Sequence, residues 1–170
     1  MSSLAIRQKL VDIATKELGV HEENYSNSGK RVEEYQAATS IDGTGWPWCA
    51  AFVCWCIREW GKLPVVLEAL KMTSDEFEVW RPKTASAFGF HSWAHKHGLL
   101  VMTDSPAHVL HTADIMTFDM SHVGLVRGDE GNLVYTIEGN TSLAGSRDGG
   151  GVYKKIRQRF LARAFVRLLA

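Results

Sequence analysis

Four residues of this chain have side chains that could together cut an amide bond: Cys49, His122, Glu138 and Asn140, in that order along the sequence. A cysteine attacks as its thiolate, and a helix N-terminus favours that form because backbone N–H groups point outward there and the local potential is positive. Cys49 follows Trp46-Pro47-Trp48 and opens an apolar helical stripe, so it is expected at a helix start. A thiol nucleophile also needs a base that takes its proton and later protonates the leaving amine. A third polar group must fix the tautomer of that base. His122 is the candidate base and Glu138 its orienter, while Asn140 is a candidate support for the histidine or the substrate. Taken alone, Cys49 also fits the reading of a free cysteine buried as a small hydrophobe.

The elements that must carry these residues follow from periodicity. Leu4, Ile6, Leu10, Ile13, Ala14 and Leu18 recur at helical spacing, with Gly19 as a stop. Residues 22–29 read as a polar loop, and Val32 to Ala38 as a short helix. Pro47 suits a first helical turn, which predicts a helix from about there to Trp60, closed by Gly61. Its core face carries Cys49, Phe52, Val53, Cys56, Ile57 and Trp60, with Cys54 off that face. Residues 63–88 read as helical pieces and loops, and His91 to Gly98 as a short helix. From Asp114 the texture changes to strands: 115–118, 122–127, 133–138, then 151–153 and 162–168. Helices first and an antiparallel sheet after them define an α+β fold.

The two central strands are separated by Asp129-Glu130-Gly131, which reads as a three-residue hairpin loop with Gly131 at positive φ. In that register Gly128 pairs with Asn132, and His122 falls directly opposite Glu138. Asn140 then projects to the same face if the strand continues. A loop shorter or longer by one residue would put Glu138 on the other face.

Composition bounds the setting. The chain has 170 residues, 45% of them hydrophobic and 22% charged, and reads as one globular domain over 1–170. Lysine plus arginine equals aspartate plus glutamate at 19 each, so net charge argues for neither nucleic-acid nor membrane partners. Three cysteines, an odd number, do not form a disulfide framework and fit a reducing cytosol. The first residues hold no apolar run of signal-peptide type, and no run reaches membrane-spanning length. The expectation is synthesis in the cytoplasm and delivery by another route.

The segment Gly45-Trp46-Pro47-Trp48-Cys49-Ala50-Ala51-Phe52-Val53 resembles the cysteine motif of CHAP domains, the cysteine- and histidine-dependent amidohydrolases/peptidases. Asp114-Ile115-Met116-Thr117-Phe118 with Ser121-His122-Val123-Gly124 is similar to their histidine segment, and Ile137-Glu138-Gly139-Asn140-Thr141 to their acidic one. The resemblance implies a papain-like fold, with N-terminal helices packed on a C-terminal antiparallel sheet. It implies cleavage of amide bonds in bacterial peptidoglycan, as a phage lysin, a remodelling enzyme or an injected toxin. A toxin would imply an immunity protein as partner. A non-catalytic wall-peptide module and a cysteine protease or transacylase acting on proteins are the alternatives.

The remaining chemistry-bearing residues have plainer readings. His91, His95 and His97 cluster, but Ser92 stands where a zinc metalloprotease helix has its glutamate, so a solvated helix face is expected. His108 and His111 read as loop residues without a partner. Glu22, Glu23, Asn24 and Asn27 offer oxygen ligands but lack EF-hand spacing, and are read as a solvated loop. No metal and no cofactor are expected. Trp46 and Trp48 are candidates for substrate binding in the cleft or for plugs beside the helix start. Lys154, Lys155, Arg157, Arg159, Arg163 and Arg167 make the C-terminus basic, read as a solvated face.

Overall fold

The computed structural model describes residues 1–101, 109–144 and 149–170. Among the described residues six α-helices, α1 (Ser3–Lys16), α2 (Lys30–Gln36), α3 (Cys49–Gly61), α4 (Pro64–Leu70), α5 (Ser74–Trp80) and α6 (Ala87–Lys96), come before most of the sheet. The strands are β1 (Leu100–Val101), β2 (Ile115–Phe118), β3 (His122–Glu130), β4 (Leu133–Thr141), β5 (Gly151–Gln158) and β6 (Ala162–Val166). They form one antiparallel sheet in the order β1-β6-β2-β3-β4-β5, so the fold is α+β as the sequence predicts. The two-residue β1 was not foreseen; it is too short to show alternation. His108 lies outside the described residues.

Helix α3 is the central element. Cys49 to Ile57 are all buried, so the helix packs on every side rather than along one stripe. It starts two residues later than the proline signal suggested. Trp48 is the N-cap, Cys49 is the first helical residue, and Gly61 belongs to the last turn. The neighbours of α3 include α1, α2, β3 and β4. Trp60 anchors it to α1 by donating its indole N–H to the Ile6 carbonyl at 2.9 Å. Val123, Leu125, Ile137 and Val152 bring the sheet into the same core. By strand alternation the other sheet face carries Met116, Phe118, Val126, Val134 and Phe165, a second apolar cluster with Leu110.

The β3–β4 hairpin differs from expectation in detail. Glu130 pairs with Leu133, so the tip is the two-residue Gly131-Asn132. Gly131 has φ +59° at the first central position, as a type II′ turn requires. Arg127 is then bulged out: Gly128 pairs with Tyr135, but Val126 pairs with Thr136. The bulge restores the face that a two-residue tip alone would have inverted. Continued, this register sets Gly124 across from Glu138, and His122 becomes a diagonal rather than a direct neighbour of Glu138.

Candidate active site

His122 is the first residue of β3, directly after Ser121 at φ +57°. Its ring is fully buried and lies 5.5 Å from the ring of Phe118, its cross-strand partner. Nε2 hydrogen-bonds Glu138 Oε2 at 2.9 Å. That leaves Nδ1 as the ring nitrogen available to a thiol, and the nearby Cys49 thiol acts on the charge of the imidazole. Nδ1 is buried without a hydrogen-bond partner, and catalytic hydrogen bonds are often long or unmade in uncomplexed sites.

Glu138 is fully buried on β4 and every bond to it is polar and directional. Oε1 accepts from Thr136 Oγ1 at 2.6 Å and from Arg157 Nε at 2.9 Å. Oε2 accepts from Arg157 Nη2 and meets His122. Burial pushes the carboxyl up, but the bonds from Arg157 and His122 more than offset this and hold it at about 2. The opposite balance acts on the histidine. Burial disfavours the imidazolium, yet Cys49 and Glu138 favour it, and His122 is lifted to about 9. The arrangement is built to keep a carboxylate beside an imidazolium.

Two glycines make room for this packing. A Cβ on Gly124 would lie 2.6 Å from Glu138 Cγ, so the carboxylate stem crosses directly over bare backbone. A Cβ on Gly139 would lie 2.7 Å from the Phe52 Cβ and 2.8 Å from the Trp48 indole, where β4 meets the start of α3.

Cys49 is 6% exposed and opens onto a groove of about 330 Å³ lined by Ile41, Trp46, Pro47, Ser86, Ala87 and Ser121. Trp46 belongs to this wall, its indole N–H on the Gly43 carbonyl and its own carbonyl held by Gln36 Nε2. Trp48 does not line the groove. It is wholly buried, stacked on Tyr35 at 5.5 Å, and donates its indole N–H to Glu22 Oε1 at 2.8 Å. The aromatic pair thus divides into one groove residue and one core residue.

Asn140 departs from the expected placement. Its φ of +54° breaks the strand alternation, and its amide turns to the start of α3 rather than to the histidine. With the amide oriented to suit its surroundings, it donates to Gly149 O at 2.8 Å and Glu22 Oε1 at 3.2 Å. It accepts from Trp48 N at 3.1 Å. Glu22, read from sequence as an open loop residue, is therefore part of the support beneath Cys49. The loop is carried there because the chain after α1 bridges onto β5 at His21 and Gly151. Its Oε2 also accepts from Asn27 N at 3.0 Å, and Glu23 accepts from Lys30 N at 3.3 Å, so both acids serve the loop's own backbone.

The other cysteines have no comparable setting. Burial raises Cys54 to about 12 while its thiol rests on the Thr84 carbonyl, and burial likewise raises Cys56 well above its ordinary value. The basic C-terminus is not one solvated face. Arg157 and Arg159 are buried, and Arg159 and Arg167 pair with Asp129 and Asp114. His97 packs on Trp93 at 5.3 Å at the end of α6.

Over residues 41–140, more than half of the chain, the sequence matches the family model of the CHAP domain. The chain belongs to the CHAP family, whose members are amidases and peptidases acting on peptidoglycan. No curated protein and no solved structure matches the chain. Among the described residues, no helix is long and apolar enough to cross a membrane.

Proposed function

We propose that this protein is a peptidoglycan hydrolase that cuts a cell-wall peptide amide through an acyl-enzyme on Cys49. The observation that carries the reading is the buried His122–Glu138 pair set against a thiol at the first residue of α3, at the mouth of a groove. The Cys49 sulfur, its proton held on His122, attacks the amide carbonyl and forms a C–S bond. The oxygen takes the negative charge, which the free N–H groups of the first turn of α3 stabilise. As the C–N bond breaks, the imidazolium protonates the departing amine. The neutral imidazole then deprotonates water, which attacks the thioester. The acid product leaves and the thiol is regenerated.

Trp46 offers the groove an aromatic wall for the substrate. The protein is proposed to be made in the cytoplasm and to act in the periplasm or wall, reached through phage lysis or a secretion machine. In a toxin setting, the groove beside Cys49 is the surface an immunity protein would cover.

Purified protein incubated with purified sacculi should release muropeptides whose masses identify the bond. Cys49→Ala should release none while melting close to the wild type, and Cys54→Ser should retain most activity. Intact sacculi after incubation with folded wild-type protein would overturn the reading. Product masses from a protein substrate instead would move it to a protease.

A further inference from the structure

Arg157 is the charged group of this centre that no step of acyl transfer consumes. It comes from β5, the outermost strand on that side of the sheet, yet its side chain is only 10% exposed. Nε and Nη2 engage the two oxygens of Glu138 separately, the paired fork that a planar guanidinium makes and an ammonium does not. Its guanidinium carbon lies 5.5 Å from the Phe118 ring, the same ring that braces the His122 imidazole at 5.5 Å. Arg157 and His122 thus share one carboxylate and one aromatic wall. Burying three ionisable groups together is costly, and removing one leaves an uncompensated charge.

We propose that Arg157 is a positioning residue for the Cys49–His122 couple: it locks the plane of Glu138, so that Nε2 of His122 stays bonded to the carboxylate and Nδ1 stays turned to the thiol. A second effect follows from its charge. A carboxylate already neutralised by a guanidinium holds the imidazolium less tightly, which eases proton release to the leaving amine. The titratable groups around Glu138 are His122 from β3, Arg157, the cross-strand partner Tyr153 and more distantly Lys155 from β5, and Cys49 of α3 through the imidazole. The inference rests on the reading of Cys49 and His122 as the reacting pair.

The test uses Arg157→Met and Arg157→Lys in the full chain, with two readouts. The first is muropeptide release as a function of pH. The second is the pH dependence of Cys49 alkylation by iodoacetamide, followed by peptide mass, which needs no substrate. Arg157→Met should lower kcat roughly 10- to 100-fold, with KM within about twofold, as expected for lost charge-assisted hydrogen bonds. The acid limb of the rate profile should move up in pH, and the alkylation profile should move as well. Arg157→Lys should recover part of kcat, because lysine supplies a charge without the fork. Folded Arg157→Met with kcat, pH profile and alkylation all unchanged would overturn the proposal. If Arg157→Met does not fold, Arg157→Lys decides: intermediate kcat and a displaced alkylation profile support it, and identity with wild type overturns it. If wild type leaves sacculi intact, the functional reading falls and alkylation alone decides the positioning role.

Discussion

Gly124 shows how narrowly the carboxylate is placed. Its missing side chain is where the Glu138 stem passes, so Gly124→Ala should push that stem off its line to His122. Overpacking of this kind costs about 1–3 kcal/mol of stability, and muropeptide release should fall further than the melting temperature suggests. An alanine variant that releases muropeptides at the wild-type rate would mean the carboxylate has slack. At this scale the contact between His122 and Glu138 and the place of Cys49 at the start of α3 were legible, from the strand pattern and the helix-start signal. Arg157 was not. Along β5 the apolar Ile156 is 61% exposed while Arg157 is buried, the reverse of what hydropathy predicts. The arginine is buried because its partner lies on the neighbouring strand, and no local pattern in the sequence encodes that pairing. Trp48 was equally hidden, since an indole in a motif reads the same in a cleft and in a core.

The hairpin and α3 show which element-level inferences survive errors in detail. The expected three-residue tip and the observed two-residue tip with bulged Arg127 both leave three residues unpaired. His122 and Glu138 therefore share a face in either case, although the register slid from direct to diagonal. The shared face needs only an odd number of unpaired residues, which the expected tip supplied; that the third is a bulge at Arg127 was not legible, because nothing in the residue types at 126–128 demands it. Asn140 was misplaced for a different reason. Its left-handed backbone, which asparagine tolerates better than most residues, ends the alternation assumed for the strand. It fastens β4 to the N-cap of α3 and to Glu22. Asn140→Ala should cost about 1–3 kcal/mol in urea unfolding, the range for buried partners left unsatisfied. Asn140→Asp should be worse near neutral pH, because it places a second carboxylate beside Glu22. Equal stability of the two variants would show that the Glu22 contact is not made.

For the molecule as a whole, the buried pair sets a pH window. Glu138 titrates at about 2 in the fold against an ordinary 4.5, so its contribution is complete above 4.5 and is lost as pH falls towards 2. His122 titrates at about 9 against 6.5, so its contribution is complete below 6.5 and is lost as pH rises through 9. Melting temperature should therefore be highest between these ordinary values and fall on both sides. In Glu138→Gln the acid-side fall should flatten, and the alkaline fall should begin at lower pH because His122 has lost its anion. Muropeptide release should decline on the alkaline side near 9, an apparent value that belongs to the thiol–imidazole couple. The supports of this pair also reach beyond the segment 41–140 that the family shares. Glu22 enters from before it, to hold Trp48 and Asn140, and Arg157 from after it, to clamp Glu138. A graft of that segment into another family member would carry the nucleophile, base and carboxylate but inherit both braces from its host. Such chimeras should sort by whether the host offers an acid and a guanidinium at those two places, rather than by overall likeness to the donor.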